Sequence, residues 1–304
     1  MTPRCTTDRP LPARVSRLLD LFLLRRENAN CEPVTLADYR RAVERFALYE
    51  GTPDDVAEWR DEHLDAWLAD LKRAGLASGT RAWYQRHLWV FLGFLVEREE
   101  CGVDRRGNAI DPRKGIPRVV VESVKRRTAT PEITTRVLTV ALDGRHEARD
   151  MALIHMLRAT GARRAELAAV DVADIDLDEA LVLLRHTKGK RQRVQPFDGP
   201  CRAALMEWLL IRGDTPGPLF TSERGGRLTA EGMKLVLRRL ADRAKVEATS
   251  HDYRRGFAVQ MRQKGLDVGH VANLLGHRTL AMAMLYAQEG EEAAAIDAYR
   301  RATG

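Results

Sequence analysis

Basic side chains and one phenol recur in the second half of this 304-residue chain. A phosphodiester is anionic, and guanidinium groups suit the charge that grows on its oxygens, because they stay charged and donate in a planar fork. A tyrosine phenol has a pKa of about 10 and needs a base and nearby positive charge to act as a nucleophile. The side chains that offer this chemistry are Arg163, Lys188, His251, Arg254, His277 and Tyr286.

Each of these side chains also has an ordinary structural interpretation. Arg163 and Arg254 suit surface ion pairs, Lys188 suits an exposed turn, and Tyr286 suits the buried face of a helix rich in Ala and Met. Histidines can also bind metal, but no His-x-x-x-His pair or nearby cysteine set supplies a closed ligand shell. The sequence therefore predicts no metal site and no cofactor.

The strings around these residues resemble those of the tyrosine recombinase, or phage integrase, family. Their joint order and spacing carry the resemblance, which covers about half of the chain, and the N-terminal half is more loosely similar to the core-binding domain of that family. The strings are Thr160-Gly161-Ala162-Arg163-Arg164-Ala165-Glu166-Leu167, Thr187-Lys188-Gly189-Lys190, His251-Asp252-Tyr253-Arg254, Leu274-Leu275-Gly276-His277 and Tyr286-Ala287.

The resemblance implies a role for each of the six side chains. Arg163 and Arg254 are expected to clamp the phosphate, and Lys188 is expected to protonate the departing 5′ oxygen. His251 is expected to take part in proton transfer at the tyrosine. Tyr286 is expected to attack phosphorus, which yields a 3′-phosphotyrosine and a free 5′ hydroxyl without ATP.

The resemblance implies that His277 donates a hydrogen bond to the phosphate.

The neighbours of the site residues include one side chain that can orient Arg163 and two alternative candidates for the proposed roles. Glu166 follows Arg163 by one helical turn and can orient its guanidinium. Arg164 and Lys190 are the nearest rivals for the clamp and the general acid, although the family motifs align better with the residues named above.

The function that the resemblance implies is site-specific DNA recombination, for integration, excision or dimer resolution. It implies a double-stranded DNA target site, a homotetramer on two such sites, and room for accessory DNA-binding proteins. Two alternatives stay open from the residues alone. One is a type IB topoisomerase-like enzyme that nicks and reseals a duplex, and the other is a non-catalytic DNA-binding regulator.

The composition predicts a basic protein that has a hydrophobic core and no membrane-spanning segment. The chain carries a net charge of +7, with 44% hydrophobic and 31% charged residues. No apolar run approaches the roughly 20 residues of a spanning helix. The four cysteines are widely spaced, which fits a reducing compartment and predicts a cytoplasmic protein. The DNA function that the resemblance implies adds association with the nucleoid. They are Cys5, Cys31, Cys101 and Cys201.

Apolar periodicity predicts a mainly α fold with a small β-sheet and a helical bundle in residues 1–104. The resemblance implies that this bundle is the N-terminal helical (SAM-like) core-binding domain of the family. Its helices are predicted at Ala13 to Asn28, after Thr35, after Asp61 and from Ser78. Arg81 and Arg86 lie on the fourth helix, where they suit either DNA phosphates or an ordinary solvated face.

Residues 105–129 are predicted to be a basic interdomain linker, because glycines and prolines interrupt the helical pattern. Eight basic residues face two acidic ones between Arg105 and Arg127. Such a segment suits either contact with DNA phosphates or a solvated spacer. The side chains expected to bind DNA here are Arg113, Lys114, Arg126 and Arg127.

Residues 130–304 are predicted to form an α+β catalytic domain. A hairpin is predicted from Ala180 to His186 and from Arg191 to Phe197, with Lys188 at its tip. A C-terminal helix at Glu291 to Ala302 is expected to dock on a neighbouring protomer or, alternatively, on its own domain. Further helices are predicted at Arg149 to Ala159, Arg163 to Ala169, Pro200 to Ile211, Thr229 to Lys245, His251 to Lys264, Val268 to Leu275 and Leu280 to Ala287.

Overall fold

The computed structural model describes residues 9–122, 127–185, 192–213 and 215–276. The chain divides into two compact units, Met1–Val124 and Lys125–Gly304. Helices dominate both, and the second also contains a three-stranded sheet, which confirms the predicted fold class. Among the described helices, none is both long enough and apolar enough to cross a membrane.

The N-terminal unit is a helical bundle around an aromatic core. Phe46, Trp59 and Trp67 are buried, and the ring of Phe46 lies 5.0 Å from that of Trp59 and 5.3 Å from that of Trp67. Edge-to-face pairs of this kind stabilise a core beyond the area they bury. The helices are α1 (Ala13–Asn28), α2 (Pro33–Ala47), α3 (Asp61–Arg73) and α4 (Ser78–Glu97).

Two predicted helix caps in this unit are wrong. Helix α2 begins at Pro33 rather than after Thr35, since the fixed φ of proline suits the first helical position. Asp61 is the first residue of α3 rather than its cap. The cap position belongs to Arg60, whose N–H donates to Nδ1 of His63 at 3.0 Å.

The basic segment after α4 packs on the N-terminal unit as far as residue 122. Ile116 belongs to the core of this unit. The side-chain amide of Gln85 on α4 donates to the carbonyl of Pro117 at 2.8 Å and accepts from the N–H of Val119 at 2.7 Å. The division into compact units therefore falls inside the predicted linker, and the predicted limits at 104 and 129 stay a prediction.

The second unit surrounds a central helix, α6. It packs against α5, α8 and α10, and its apolar residues lie in the largest core. The elements are α5 (Pro131–Leu142), α6 (Glu147–Thr160), α7 (Arg164–Ala168), β1 (Ile175–Asp176), β2 (Leu181–Leu184), β3 (Arg193–Pro196), α8 (Gly199–Arg212), α9 (Ala230–Arg243), α10 (Ser250–Gln263) and α11 (Val268–Leu275).

The sheet is antiparallel in the order β1-β2-β3. Val182 pairs with Ile175 on one side and Gln195 on the other, and Leu184 pairs with Arg193. The two predicted strands of the hairpin are confirmed with shorter limits, whereas β1 was not predicted because two residues show no alternation. The hairpin tip at 186–191 lies outside the described residues.

A separate small core joins α10 to α11. It consists of Phe257, Ala258, Val271 and Leu275, all buried. The predicted limits of α11 are confirmed, because Asp267 caps it through the N–H of His270 and Gly276 ends it in the left-handed region. The predicted helices at Leu280 to Ala287 and Glu291 to Ala302 lie outside the described residues.

Candidate active site

Helix α10 presents His251 and Arg254, and a capping box fixes where it begins. The Thr249 hydroxyl accepts from the N–H of Asp252 at 3.3 Å, and the Asp252 carboxylate accepts from the N–H of Thr249 at 2.9 Å. The N–H of Ala129 donates to the carbonyl of Asp252 at 2.9 Å. These hydrogen bonds therefore fix the beginning of α10, which carries both predicted site residues.

Arg254 joins the ends of two other helices. It is almost completely buried, with 2% of its surface exposed. Its Nη1 donates to the carbonyl of Gly161 at 2.8 Å, and its Nη2 donates to the carbonyl of Leu275 at 2.6 Å. Carbonyls at helix C-termini lack helical partners and carry partial negative charge. One guanidinium thus satisfies the ends of α6 and α11 and is held in one orientation.

Arg163 lies two residues beyond Gly161, at the start of α7. Its Nη1 donates to Oε1 of Glu166 at 2.7 Å, and its backbone N–H donates to Oε2 at 2.8 Å. The Arg163 side chain is 25% exposed, whereas the Glu166 side chain is 1% exposed. The protein therefore orients this guanidinium from its inner side and leaves its outer side open to a ligand.

A third arginine, Arg193, shares the same carboxylate and was not predicted from the sequence. Its Nη2 donates to Oε2 of Glu166 at 2.7 Å, and its Nη1 donates to Oε1 at 3.1 Å. Burial alone acts to raise the pKa of Glu166, but the hydrogen bonds and charges of Arg193 and Arg163 outweigh burial and lower that pKa. Glu166 therefore stays ionised and neutralises charge between the two guanidiniums.

Gly161 makes the close approach of these helices possible. Its φ is 57°, in the left-handed region that favours glycine. A Cβ atom there would lie 2.9 Å from the side chains of Leu275 and Phe257. A glycine is therefore needed where the end of α6 packs against α10 and α11, and it directs the Gly161 carbonyl at Arg254.

His251 is exposed at the first turn of α10 and lines a cleft of about 480 Å³. Partial burial of its ring, together with the positive charges of Arg255, Arg164 and Arg254, lowers the pKa of His251 below its ordinary value of 6.5. The imidazole is thus neutral at neutral pH and can accept a proton. The basic side chains that line the cleft are Arg127, Arg164, Lys234 and Arg238.

Three predicted catalytic residues, Lys188, His277 and Tyr286, lie outside the described residues, as does Arg126. The described chain ends directly before His277, at Gly276. Their roles and their positions in the site stay predictions.

Tyr253, the neighbour of Arg254, is a poor candidate for a nucleophile. It is 1% exposed, and burial raises the pKa of its phenol. A phenol with a raised pKa stays protonated at neutral pH and is a weak nucleophile. The assignment of the nucleophile to Tyr286 stays a prediction from the family motif.

Two of the predicted DNA-binding side chains of the N-terminal unit are tied to their own unit. Arg81 Nε donates to the carbonyl of Leu76 at 3.2 Å. Arg113 forms a two-pronged ion pair with Asp111, at 2.8 and 2.7 Å, and Nη1 donates to the carbonyl of Trp89 at 3.4 Å. The contacts of Arg113 hold the segment after α4 against that helix, and the contact of Arg81 holds the start of α4.

The remaining predicted contacts are exposed. Arg86 on α4 and Lys114 present their side chains to solvent. Arg127 is also exposed and forms an ion pair with Glu247 inside the second unit. Exposed cations of this kind suit contact with DNA phosphates.

The second unit matches the model of the phage integrase family over residues 128–292. Among curated proteins, the chain is 31% identical to tyrosine recombinase XerC of Roseiflexus castenholzii over 88% of this chain and 86% of that protein. It is 30% identical to tyrosine recombinase XerD of Corynebacterium glutamicum over 83% of this chain and 86% of that protein.

Solved structures show the same fold. The Tn1549 transposon integrase in complex with transposon right end DNA superposes with a TM-score of 0.75, at 16% identity, over 90% of this chain and 94% of that one. The family model and the curated relatives together define the class of the chain as a tyrosine recombinase. The chain belongs to the phage integrase family and is a site-specific tyrosine recombinase, which confirms the predicted family, function and enzyme class.

Proposed function

We propose that this chain cuts and rejoins DNA with Tyr286 as its nucleophile. The phenol oxygen forms a bond to phosphorus and the bond from phosphorus to the 5′ oxygen breaks, which leaves a 3′-phosphotyrosine and a 5′ hydroxyl. Attack by a 5′ hydroxyl reverses the step on the same or another strand. The phosphotyrosine keeps the bond energy, so no ATP is consumed.

The proton balance of this step assigns the remaining side chains. The phenol proton passes to neutral His251, and Lys188 donates a proton to the departing 5′ oxygen. Arg163 and Arg254 stabilise the charge that grows on the non-bridging oxygens, and His277 adds a hydrogen bond to one of them. No step requires a metal ion.

One observation carries the proposal: the hydrogen bonds that hold Arg163 and Arg254 on a shared support. The Arg254 guanidinium binds the carbonyl of Gly161, two residues before Arg163. The Arg163 guanidinium is in turn fixed by buried Glu166. Donors fixed before the reaction act on a transition state without a cost of reorganisation, which is what phosphoryl transfer without a metal requires.

A nicked suicide substrate tests the nucleophile, because the short cleaved strand diffuses away and traps the covalent intermediate. Tyr286→Phe should abolish the denaturant-resistant adduct and leave DNA affinity unchanged. Tyr253→Phe is the matched control and should keep the adduct, since its phenol is buried. An adduct that persists in Tyr286→Phe contradicts the proposal.

A substrate with a 5′-phosphorothiolate tests the general acid. Its sulfur leaves without protonation, so it should restore cleavage to Lys188→Ala but not to Arg163→Ala. Restoration of both variants, or of neither, is incompatible with the role of Lys188. EDTA should leave cleavage intact in every case.

For the working assembly, we propose a homotetramer on two double-stranded DNA sites, with room for accessory DNA-binding proteins, at the nucleoid in the cytoplasm.

Integration or excision and dimer resolution, the two purposes that the sequence left open, use the same strand exchange. Recombination of two plasmid-borne sites, with product topology read on a gel, separates exchange from simple nicking and resealing.

A further inference from the structure

Arg193 connects two of the sequence strings that resemble the family, because it contacts Glu166 in one and Leu274 in another. It is the first residue of β3 and lies five positions after Lys188. Its guanidinium binds Glu166, which holds Arg163, and its Nε donates to the carbonyl of Leu274 at 3.0 Å. The partners are separated from it by 27 and 81 residues along the chain.

The surroundings of Arg193 favour a single orientation. Its side chain is 12% exposed and meets a carboxylate that is 1% exposed. Two parallel N–H donors toward one carboxylate give a bidentate pair, which is stronger and more directional than a single charged hydrogen bond. The third donor faces the end of α11, so rotation of the guanidinium breaks at least one contact.

Gly276 provides the space that Arg193 occupies. A Cβ atom at Gly276 would lie 2.9 Å from Nη1 of Arg193, and the φ of Gly276 is 64°. Gly276 directly precedes His277 in the sequence. The contact between β3 and the end of α11 therefore depends on both residues.

We propose that Arg193 is a positioning residue for DNA cleavage, which acts on Arg163 through the shared carboxylate of Glu166. The inference rests on the proposed role of Arg163 in holding the phosphate. Without Arg193, Glu166 keeps one arginine partner and gains rotational freedom. The Arg163 fork then loses the fixed support on which its alignment depends.

Lysine is the informative substitution at this position. Arg193→Lys keeps the positive charge beside Glu166, but a single ammonium cannot span both carboxylate oxygens and the Leu274 carbonyl. We expect the single-turnover cleavage rate to fall about 10- to 100-fold, the range seen when partners that orient a functional group are removed. DNA affinity should change less than threefold, since the charge is kept.

Arg227 offers a matched control in the same unit. It also combines backbone carbonyls with a carboxylate, because it donates to Ala168 and Val170 and pairs with Asp171. Arg227→Lys should lose comparable structural contacts and cleave at the wild-type rate. Thermal melting of both variants reports any general loss of stability.

Coupling to Arg163 distinguishes positioning from a merely structural role. In an Arg163→Ala background, Arg193→Lys should reduce the remaining rate less than threefold, because the group it positions is absent. In the same background, Glu166→Gln should also reduce the remaining rate less than threefold, because Glu166 acts through Arg163 as well. This variant provides the test if Arg193→Lys does not fold.

Two results overturn the inference: cleavage by Arg193→Lys at the wild-type rate, or an equal loss of rate with and without Arg163. Failure of the proposed function looks different. In that case Arg163→Ala itself cleaves normally, or the adduct survives Tyr286→Phe. A slow Arg163→Ala enzyme beside a normal Arg193→Lys enzyme rejects the positioning role alone.

Discussion

Several arginines of the N-terminal unit are held differently from the site arginines of the second unit, although Arg113 also forms a two-pronged ion pair. In the N-terminal unit several lie over aromatic rings, such as Arg26 at 5.2 Å from the centroid of Phe22 and Arg45 at 4.9 Å from that of Tyr84. In the second unit Arg254 is buried and bound to two helix-end carbonyls. An arginine over a ring is attracted to the face as a charge, whereas paired hydrogen bonds also fix the direction of its fork.

This difference indicates which property each unit supplies to DNA binding and cleavage. Exposed cations contribute charge, which raises affinity for DNA and makes binding depend on salt. Guanidiniums fixed by the protein contribute direction, which stabilises a transition state more than a ground state. We therefore expect changes at the fixed guanidiniums of the second unit to reduce rate, and changes at exposed cations of the N-terminal unit, such as Arg86, to reduce affinity.

The largest expected effect concerns His251. Loss of a general base typically costs about 10²- to 10⁴-fold in rate, so His251→Gln should slow cleavage within that range. Because its pKa lies below 6.5, the wild-type rate should be level at neutral pH and fall only as pH drops below 6.5. Single-turnover rates against pH should lose this acidic limb in His251→Gln. If the acidic limb remains in His251→Gln, the titrating group is not His251.

Arg163 is expected to come next. Loss of one fixed donor costs about 10²- to 10³-fold in rate, so Arg163→Ala should slow cleavage by that order with little change in affinity. Arg164→Ala is the matched control from the adjacent position and should cost less than tenfold. A larger loss for Arg164→Ala would exchange the assignments of the two arginines.

Gly161 should show a smaller effect on both stability and rate. Gly161→Ala meets strain from φ and overlap with Leu275 and Phe257, which together cost about 1–3 kcal/mol of unfolding free energy. Gly265 also has positive φ, at 93°, but has nothing within 4 Å of an added Cβ. Denaturant unfolding of both alanine variants should show the larger loss for Gly161→Ala, and equal losses would remove the close-approach argument.

The salt dependence of binding should show the smallest effect. Each phosphate contact contributes about 0.9 to the slope of log affinity against log salt, so Arg86→Gln should flatten that slope by about one unit. Arg113→Gln should instead lower the melting temperature, because Arg113 is bound to Asp111 and Trp89. Fluorescence anisotropy at several salt concentrations measures the slope. An unchanged slope in Arg86→Gln makes that residue part of a solvated face.

Local patterns predicted much of this fold. The apolar spacing of Val15, Leu18 and Phe22 located α1 from Ala13 to Asn28, because the residues that face a core follow the helical period. Packing on the N-terminal unit by residues up to 122 was not predictable, since glycines and prolines remove any period. The two-residue strand β1 is too short to show alternation.

The sequence indicates candidate site residues but not the contacts that hold them in place. The strings around Arg163 and Arg254 carry family resemblance in a few neighbouring letters. Arg193 has no such signal, because it contacts Glu166 and Leu274 across long stretches of chain. The capping role of Asp252 does have a local signal, because an acidic side chain three residues after Thr249 is the pattern of a capping box.

One pair of charge-conserving substitutions tests the central comparison most directly. Single-turnover cleavage rate and DNA affinity should be measured for Arg254→Lys and Arg86→Lys. Arg254→Lys cannot reach both helix-end carbonyls, so its rate should fall about 10²- to 10³-fold while its affinity stays near wild type. Arg86→Lys should match wild type in both. Cleavage by Arg254→Lys at the wild-type rate would contradict the claim that direction, rather than charge, is what the second unit supplies.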